Sequence, residues 1–206
     1  MSIEPVDVMI VGGGMVGASL AVALSSLPLK IALVESFPFQ LTQQPGYDDR
    51  AIALSYGSSQ ILQGMGIWNE VSAVANPIDS IHVSDRGHFG ATRLNAKQHN
   101  VPALGYLVEA QVYSQVLHTY LEQREVRLIQ PAHIQNIEPA DNGVIVSIDC
   151  EGVITKWQSR LLVACDGANS TVREMVGVSA TTKDYGQTAL IANVTTEVPH
   201  NNQAFE

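Results

Sequence analysis

RLLVACDGANSTVR, residues 160–173, is the stretch on which the reading of this chain turns. Leu161 to Ala164 is a short continuous apolar run of the kind buried on both faces of a sheet, and Asp166-Gly167 breaks it. Ala168 to Arg173 then supplies Asn, Ser and Thr side chains that can cap a helix start. An acidic side chain held at such a strand end can accept hydrogen bonds from sugar or polyol hydroxyls. An isolated Asp-Gly is more often a plain turn. The N-terminus shifts that balance. Val6 to Val11 is a second apolar strand, followed by Gly12-Gly13-Gly14 and a small-residue helix from Met15 to Ser25 that Pro28 closes. Lys30 to Glu35 is the next strand, which completes a βαβ unit.

Gly12, Gly14 and Gly17 fit the GxGxxG fingerprint in its required setting of strand, turn and helix. Gly12 permits the tight turn, Gly14 lets a ligand pyrophosphate approach the backbone, and Gly17 allows close helix–strand packing. The helix N-terminus then favours an anion through its unpaired N–H groups and dipole. Glu35 follows Gly14 by 21 residues, the acidic position that accepts ribose hydroxyls and repels a 2′-phosphate. NADP is therefore not the expected ligand of this loop. A second element at Asp166 calls for a longer dinucleotide.

Composition narrows the classes further. The 206 residues carry 11 Lys and Arg against 20 Asp and Glu, a net charge of −9, which disfavours a nucleic-acid partner. Cys150 and Cys165 have no CxxC or Cys/His spacing and read as small core residues in a reducing compartment. No apolar run approaches the roughly 18 to 20 residues of a membrane span, and MSIEPVDVMIVGGG lacks a signal peptide's basic start. We therefore expect a soluble, cytoplasmic chain, at most peripheral at an inner membrane. His82 and His88 lack a third ligand at metal spacing, so no metal is expected. GxSxG, HExxH and P-loop signatures are absent from the sequence.

Beyond the first unit, Ser36 to Gly46 reads as a loop and Ser58 to Met65 as a helix. Ile78 to Ser84 and Gly90 to Leu94 read as strands around a polar tip at Asp85-Arg86-Gly87-His88. Leu104 to Val108 is apolar, and Glu109 to Arg124 has helical spacing. Strands follow at 126–129, 134–138, 144–148, 153–157 and 161–164, with turns at Asn142-Gly143 and Glu151-Gly152, and a last strand at 188–195. Arg50 is the only cation in the thirty residues after Lys30; it is either a phosphate or ring contact or a solvated surface arginine.

In this order GGGMVG at 12–17, Glu35, DDRAIAL at 48–54 and CDGANSTVR at 165–173 resemble the class A flavoprotein aromatic monooxygenases. HVSDRGHFG at 82–90, GYLVE at 105–109 and LIANVTT at 190–196 are similar to their ubiquinone-biosynthesis branch. The resemblance implies an α/β fold: a Rossmann-like FAD-binding domain of the p-hydroxybenzoate hydroxylase type with part of a β-sheet substrate domain. It places the FAD domain at 1–75 and 104–178 and the partial substrate domain at 76–103 and 179–206. It also implies that Gly12, Gly14, Met15, Val16, Gly17 and Glu35 hold the ADP half of FAD. Arg50 would lie near the flavin, and Asp166 with Gly167 would bind the linker. Where the family has Arg or Gln at the head of the next helix, this chain has Ala110 with Gln111 beside it. NADPH or NADH would serve as transient reductant, O2 as co-substrate and a polyprenylated phenol as substrate. Peripheral membrane contact and a ubiquinone-biosynthesis complex are implied as well.

No catalytic residue is assigned, because the family's later Gly-Asp motif and its remaining substrate-domain strands do not occur here. The expectation is thus an N-terminal portion that is inactive alone and holds FAD weakly. Three other readings remain open. One is an FAD oxidoreductase of the same fold, acting at another ring position or as a prenyl reductase. Another is a nonenzymatic nucleotide-binding fragment. A plain NAD dehydrogenase leaves Asp166 unexplained.

Overall fold

The computed structural model describes residues 4–39, 50–192 and 194–206; Asp48 and Asp49 of the DDRAIAL motif, the 40–46 part of the expected loop, and Asn193 lie outside the described residues. In chain order the strands begin with β1 Glu4–Val11, β2 Ile31–Val34, β3 Ala51–Ser55, β4 Asn76–Ile78, β5 Ser80–Ser84 and β6 Ala91–Asn95. They continue with β7 Gly105–Glu109, β8 Val126–Ile129, β9 His133–Ala140, β10 Gly143–Cys150, β11 Val153–Ala164 and β12 Gln203–Phe205. The helices are α1 Met15–Leu24, α2 Tyr56–Gly64, α3 Trp68–Ser72, α4 Ala110–Glu122 and α5 Thr171–Met175. The chain divides into two compact units, Met1–Tyr47 with Leu117–Thr188 and Asp48–Val116 with Ala189–Glu206. The expected domain borders at 75/76 and 103/104 fall inside the second of these.

The first unit is built on a six-stranded sheet of order β8-β2-β1-β11-β10-β9. β8, β2, β1 and β11 run parallel, and β10 and β9 add an antiparallel meander. Continuous apolar sequence suits the parallel part, because such strands are covered on both faces. Met9 and Ile10 on β1 are 0 % exposed, and all four residues of β2 are buried. α1 packs on β1 and β2 through Gly17, Ala18, Ala21 and Val22, small side chains that let the helix lie close. On the meander, Val146, Ile148 and Trp157 join Met9, Val34 and Val172 in one apolar cluster. The Trp157 indole N–H is satisfied by the Thr155 hydroxyl at 3.0 Å.

Sequence patterning separates 153–157 from 161–164, yet these residues form the single strand β11. Ser159, which interrupts the apolar run, is fully buried, and its hydroxyl donates to the Leu161 carbonyl at 2.7 Å. Ladders on both sides hold the backbone extended there: Ser159 pairs with Val6 of β1 and with Val144 of β10. The β10–β11 turn has positive φ at both Glu151 and Gly152, 52° and 87°, the twist a two-residue hairpin requires.

The second unit carries two three-stranded sheets, β3-β7-β4 and β12-β5-β6. β5 and β6 form the expected hairpin, with the exposed His88 and Asp85 paired at 2.7 Å at its tip. No described residue of the strand expected over 188–195 lies in a strand. Gln203–Phe205 takes the free edge of β5 instead, pairing in parallel with Ser80–His82. An apolar pattern makes a strand only where an edge is open to it and a face is covered. Leu190, Ile191 and Val194 have no such cover, being 99 %, 66 % and 79 % exposed. No described helix is long and apolar enough to cross a membrane.

Candidate functional site

The carboxyl ends of β2, β1 and β11 lie side by side in the sheet, and each runs into a segment singled out by sequence. β2 is followed by Glu35, β1 by Gly12-Gly13-Gly14 and β11 by Cys165-Asp166-Gly167. Backbone bonds tie the three ends together: the Gly12 N–H donates to the Val34 carbonyl at 2.8 Å and the Cys165 N–H to the Val11 carbonyl at 2.7 Å. The chain leaves β1 toward β2 on one side and returns on its other side as β11. Such a reversal of strand order is where open α/β sheets usually bind their ligands.

Two glycines of the loop are demanded by packing. Gly12 has φ of 101°, and a Cβ there would strike the Cys165 carbonyl. A Cβ on Gly17 would strike the Gly12 carbonyl oxygen and come within 3.1 Å of the Cys165 Cβ. Gly14 differs: it is exposed, and a Cβ on it would meet nothing within 4 Å. It is the N-cap of α1, with no side-chain cap and no acidic residue in the first turn. Met15 is half-buried and Val16 is exposed, so the helix start faces open space. An uncapped, acid-free helix N-terminus with that clearance fits an anionic group such as a diphosphate.

The two carboxylates sit on either side of this loop. Glu35 Oε2 accepts from the Gly13 N–H at 2.5 Å, and its Oε1 accepts from the Phe37 N–H at 3.0 Å. Asp166 Oδ1 accepts from the Ser170 hydroxyl at 2.6 Å, and Oδ2 accepts from the Val172 N–H at 3.1 Å. Ser170 itself caps α5 by accepting from the Arg173 N–H at 3.0 Å. Burial alone would raise the Asp166 pKa. The Ser170 hydroxyl and the N–H groups of Val172, Asp166 and Thr171 outweigh it and hold the carboxyl below the ordinary range. Asp166 thus anchors a helix start, a duty its strand-end position does not reveal. Glu35 accepts one N–H on each oxygen, which leaves each of them a lone pair for a hydroxyl donor.

Cys165 and Cys150 are free thiols, half-buried, and burial raises the pKa of both.

His118 on α4 is the site residue that sequence reading missed. It is 6 % exposed and its ring stacks on Phe39 at 3.5 Å and 14°; burial holds its pKa below the ordinary histidine value, against the Gly13 backbone and the charges of Glu35 and Glu122. Its signal in the sequence is faint: one polar residue beside an apolar stripe of Ala110, Tyr113, Leu117 and Leu121.

The structure brings Arg50 and Gln111 together in the second unit. β3 and β7 pair Ala51 with Glu109, so the Arg50 carbonyl accepts from the Ala110 N–H at 2.9 Å and Gln111 follows on α4. Arg50 is exposed and Gln111 half-buried. Gly12, Gly14, Met15, Val16, Gly17, Glu35, Asp166 and Gly167 all belong to the first unit.

Residues 5–205 match the family model of an FAD binding domain. Among curated proteins, the chain is 32% identical to the uncharacterized protein slr1300 of Synechocystis, over 97% of this chain and 48% of that protein. It is 31% identical to the 3-demethoxyubiquinol 3-hydroxylase of Escherichia coli, over 96% of this chain and 50% of that one. Identity to the ubiquinone hydroxylase UbiL of Rhodospirillum rubrum is 30%, over 97% and 46% respectively. The chain spans about half the length of these relatives. Among solved structures it resembles p-nitrophenol 4-monooxygenase PnpA of Pseudomonas putida, with a TM-score of 0.71 at 20% identity, covering 85% of this chain and 44% of that one. The anhydrotetracycline hydroxylase OxyS of Streptomyces rimosus gives 0.74 at 21% identity, over 87% and 35%. These last two likenesses speak to fold alone.

Proposed function

Because this chain belongs to the FAD binding domain family, we propose that it is the nucleotide-binding portion of an FAD- and NAD(P)H-dependent hydroxylase of ubiquinone biosynthesis, whose substrate is a polyprenylated phenol. One observation carries the cofactor half of this reading: three adjacent parallel strands end side by side at the glycine loop, Glu35 and Asp166. A mononucleotide needs only the first two. The third element suits a ligand that extends past the diphosphate.

In this reading the N–H groups at Gly14, Met15 and Val16 hold the diphosphate, while Glu35 accepts the ribose hydroxyls and excludes a 2′-phosphate by charge. Asp166, kept ionised by its cap, accepts from hydroxyls of the linker, and Gly167 leaves the backbone beside it unencumbered. Arg50 and Gln111 are assigned to the flavin end. FAD, when bound, supplies the redox chemistry by which O2 is activated for ring hydroxylation. The functional division at 1–75 and 104–178 against 76–103 and 179–206 belongs to the same proposal. So do peripheral membrane contact and a ubiquinone-biosynthesis complex. Resemblance over His82 to Gly90 favours 2-octaprenyl-6-methoxyphenol as the substrate.

Flavin fluorescence titration tests the cofactor assignment. FAD should bind more tightly than FMN, and NADP should not compete for the glycine loop. Preferential binding of NADP would refute it. The activity is tested on the full-length protein with NADPH, a prenylphenol and oxygen-18 gas: label in the phenol ring supports hydroxylation, and NADPH oxidation without label refutes it. The 206-residue chain alone should lose its flavin on gel filtration.

A further inference from the structure

The sheet β12-β5-β6 sets a cation, an imidazole and a benzene ring side by side on one face. His82 of β5 stands opposite Arg93 of β6 and in register with Phe205 of β12. Residues in register across a sheet share a face, and the contacts follow from that. Arg93 Nε donates to His82 Nδ1 at 3.2 Å, and the His82 and Phe205 rings lie 5.9 Å apart, tilted by 47°. Alternation along the strands puts Ser80, Ser84, Ala91, Asn95 and Gln203 on the same face, all of them neutral. The chain has 20 acidic residues, yet these three strands bring none to this face. Among the described residues no carboxylate pairs with Arg93.

We propose that Arg93, His82 and Phe205 form a binding site for a phenolate, with its oxygen held by Arg93 and its ring laid along His82 and Phe205. The choice of a phenol rests on the function proposed above; the charge, donors and ring belong to the sheet itself. The hydrogen bond to His82 fixes the guanidinium with one N–H and leaves the four on its terminal nitrogens for a ligand. Accepting at Nδ1 places the His82 ring proton on Nε2, a further donor. Phe205 is 71 % exposed and offers an open apolar surface at the other end of the row. Neighbouring strands are about 4.8 Å apart, so the row spans about 10 Å. A phenol ring over its middle touches Phe205 at one end and brings its oxygen to Arg93 at the other. An ionised oxygen gains most there, because a hydrogen bond between two charged groups is about twice as strong as a neutral one.

The test titrates the 206-residue chain with 4-nitrophenol, which is yellow only when ionised, and with its methyl ether 4-nitroanisole. Wild type is compared with Arg93→Gln and Phe205→Leu, both at exposed positions where folding is checked by thermal melting. Wild type should bind 4-nitrophenol more tightly than the ether, and raise its yellow fraction at a pH where the free compound is mostly protonated. Arg93→Gln should weaken 4-nitrophenol about tenfold, abolish the colour change and leave the ether unaffected. Phe205→Leu should weaken both compounds about threefold. Equal affinity of wild type for the two compounds overturns the site, as does an equal loss of both in Arg93→Gln. A wild type that binds neither overturns it as well. In the full-length protein, unchanged oxygen-18 labelling of a prenylphenol by Arg93→Gln would overturn the site and sustain the hydroxylase, whereas unlabelled product from wild type refutes the hydroxylase itself.

Discussion

Alanine at Gly17 and alanine at Gly14 should do opposite things, although both glycines belong to one fingerprint. At Gly17 the new Cβ meets the Gly12 carbonyl oxygen and the Cys165 Cβ, the latter at 3.1 Å. Neither obstacle is the loose end of a long side chain, so α1 must lift off the sheet. Overpacking of this kind costs about 1–3 kcal/mol. Lifting the helix also wets Ala18, Ala21 and Val22, which are at most 3 % exposed; uncovering roughly 50 Å² of apolar surface adds about 1 kcal/mol. Alanine's better helix propensity returns about 1 kcal/mol. We expect a net loss of about 1–3 kcal/mol. At Gly14 the backbone has φ of −64° and ψ of −177°, open to any residue, and the Cβ meets nothing. Gly14→Ala should cost less than about 1 kcal/mol as a weakened N-cap and instead impair nucleotide binding, by standing where the ligand approaches. Urea unfolding at constant m-value measures the first effect and FAD titration the second. Gly17→Ala proving no less stable than Gly14→Ala would refute this account of the loop.

Other substitutions probe the rest of the first unit. Ser170→Ala removes the acceptor for the Arg173 N–H and the donor to Asp166, and should cost about 1–2 kcal/mol in urea melts. Asp166 is held below the ordinary carboxylate value of 3.8, so its stabilising effect is complete above pH 3.8 and lost as pH falls through the lower folded value. The stability gap between wild type and Asp166→Asn should accordingly shrink below that pH in melts run across the acid range; a gap independent of pH would contradict the cap. Ile10→Ala, at a fully buried site, should cost about 2–5 kcal/mol. Leu190→Ser, at a 99 % exposed one, should stay within about 0.5 kcal/mol of wild type by thermal melting.

What could be read from sequence was local. The apolar runs of β1 and β2 and the small residues of α1 carry their own periodicity, and each element forms within a residue or two of its expected limits. The Ser170 cap was likewise legible, because an N-cap and its helix are neighbours in sequence. Elements that depend on distant partners were not legible. β11 continues through Ser159 and Arg160 only because β1 and β10 hold it on both sides. No described residue of the strand expected at 188–195 is paired, and the edge of β5 is taken by Gln203–Phe205. His118 shows nothing special among its sequence neighbours. Its surroundings, the stacked ring of Phe39 and the neighbouring Gly13 and Glu35, are brought to it only by the tertiary fold.

The pairing of β1 with β11 also bears on how the protein is made. β1 is complete at Val11, but the strand that covers its second edge ends at Ala164. On the ribosome, at about 5–20 residues per second, the wait between the two is roughly 10 to 30 seconds. During that interval β2, and late in it β8, can join β1 only as a half-sheet, whose open edge is the apolar strand beside the glycine loop. Such an edge is a template for pairing with the wrong chain. The central position of β1 in the sheet therefore leaves one of its edges open to wrong pairing until the last fifth of the given sequence is being made.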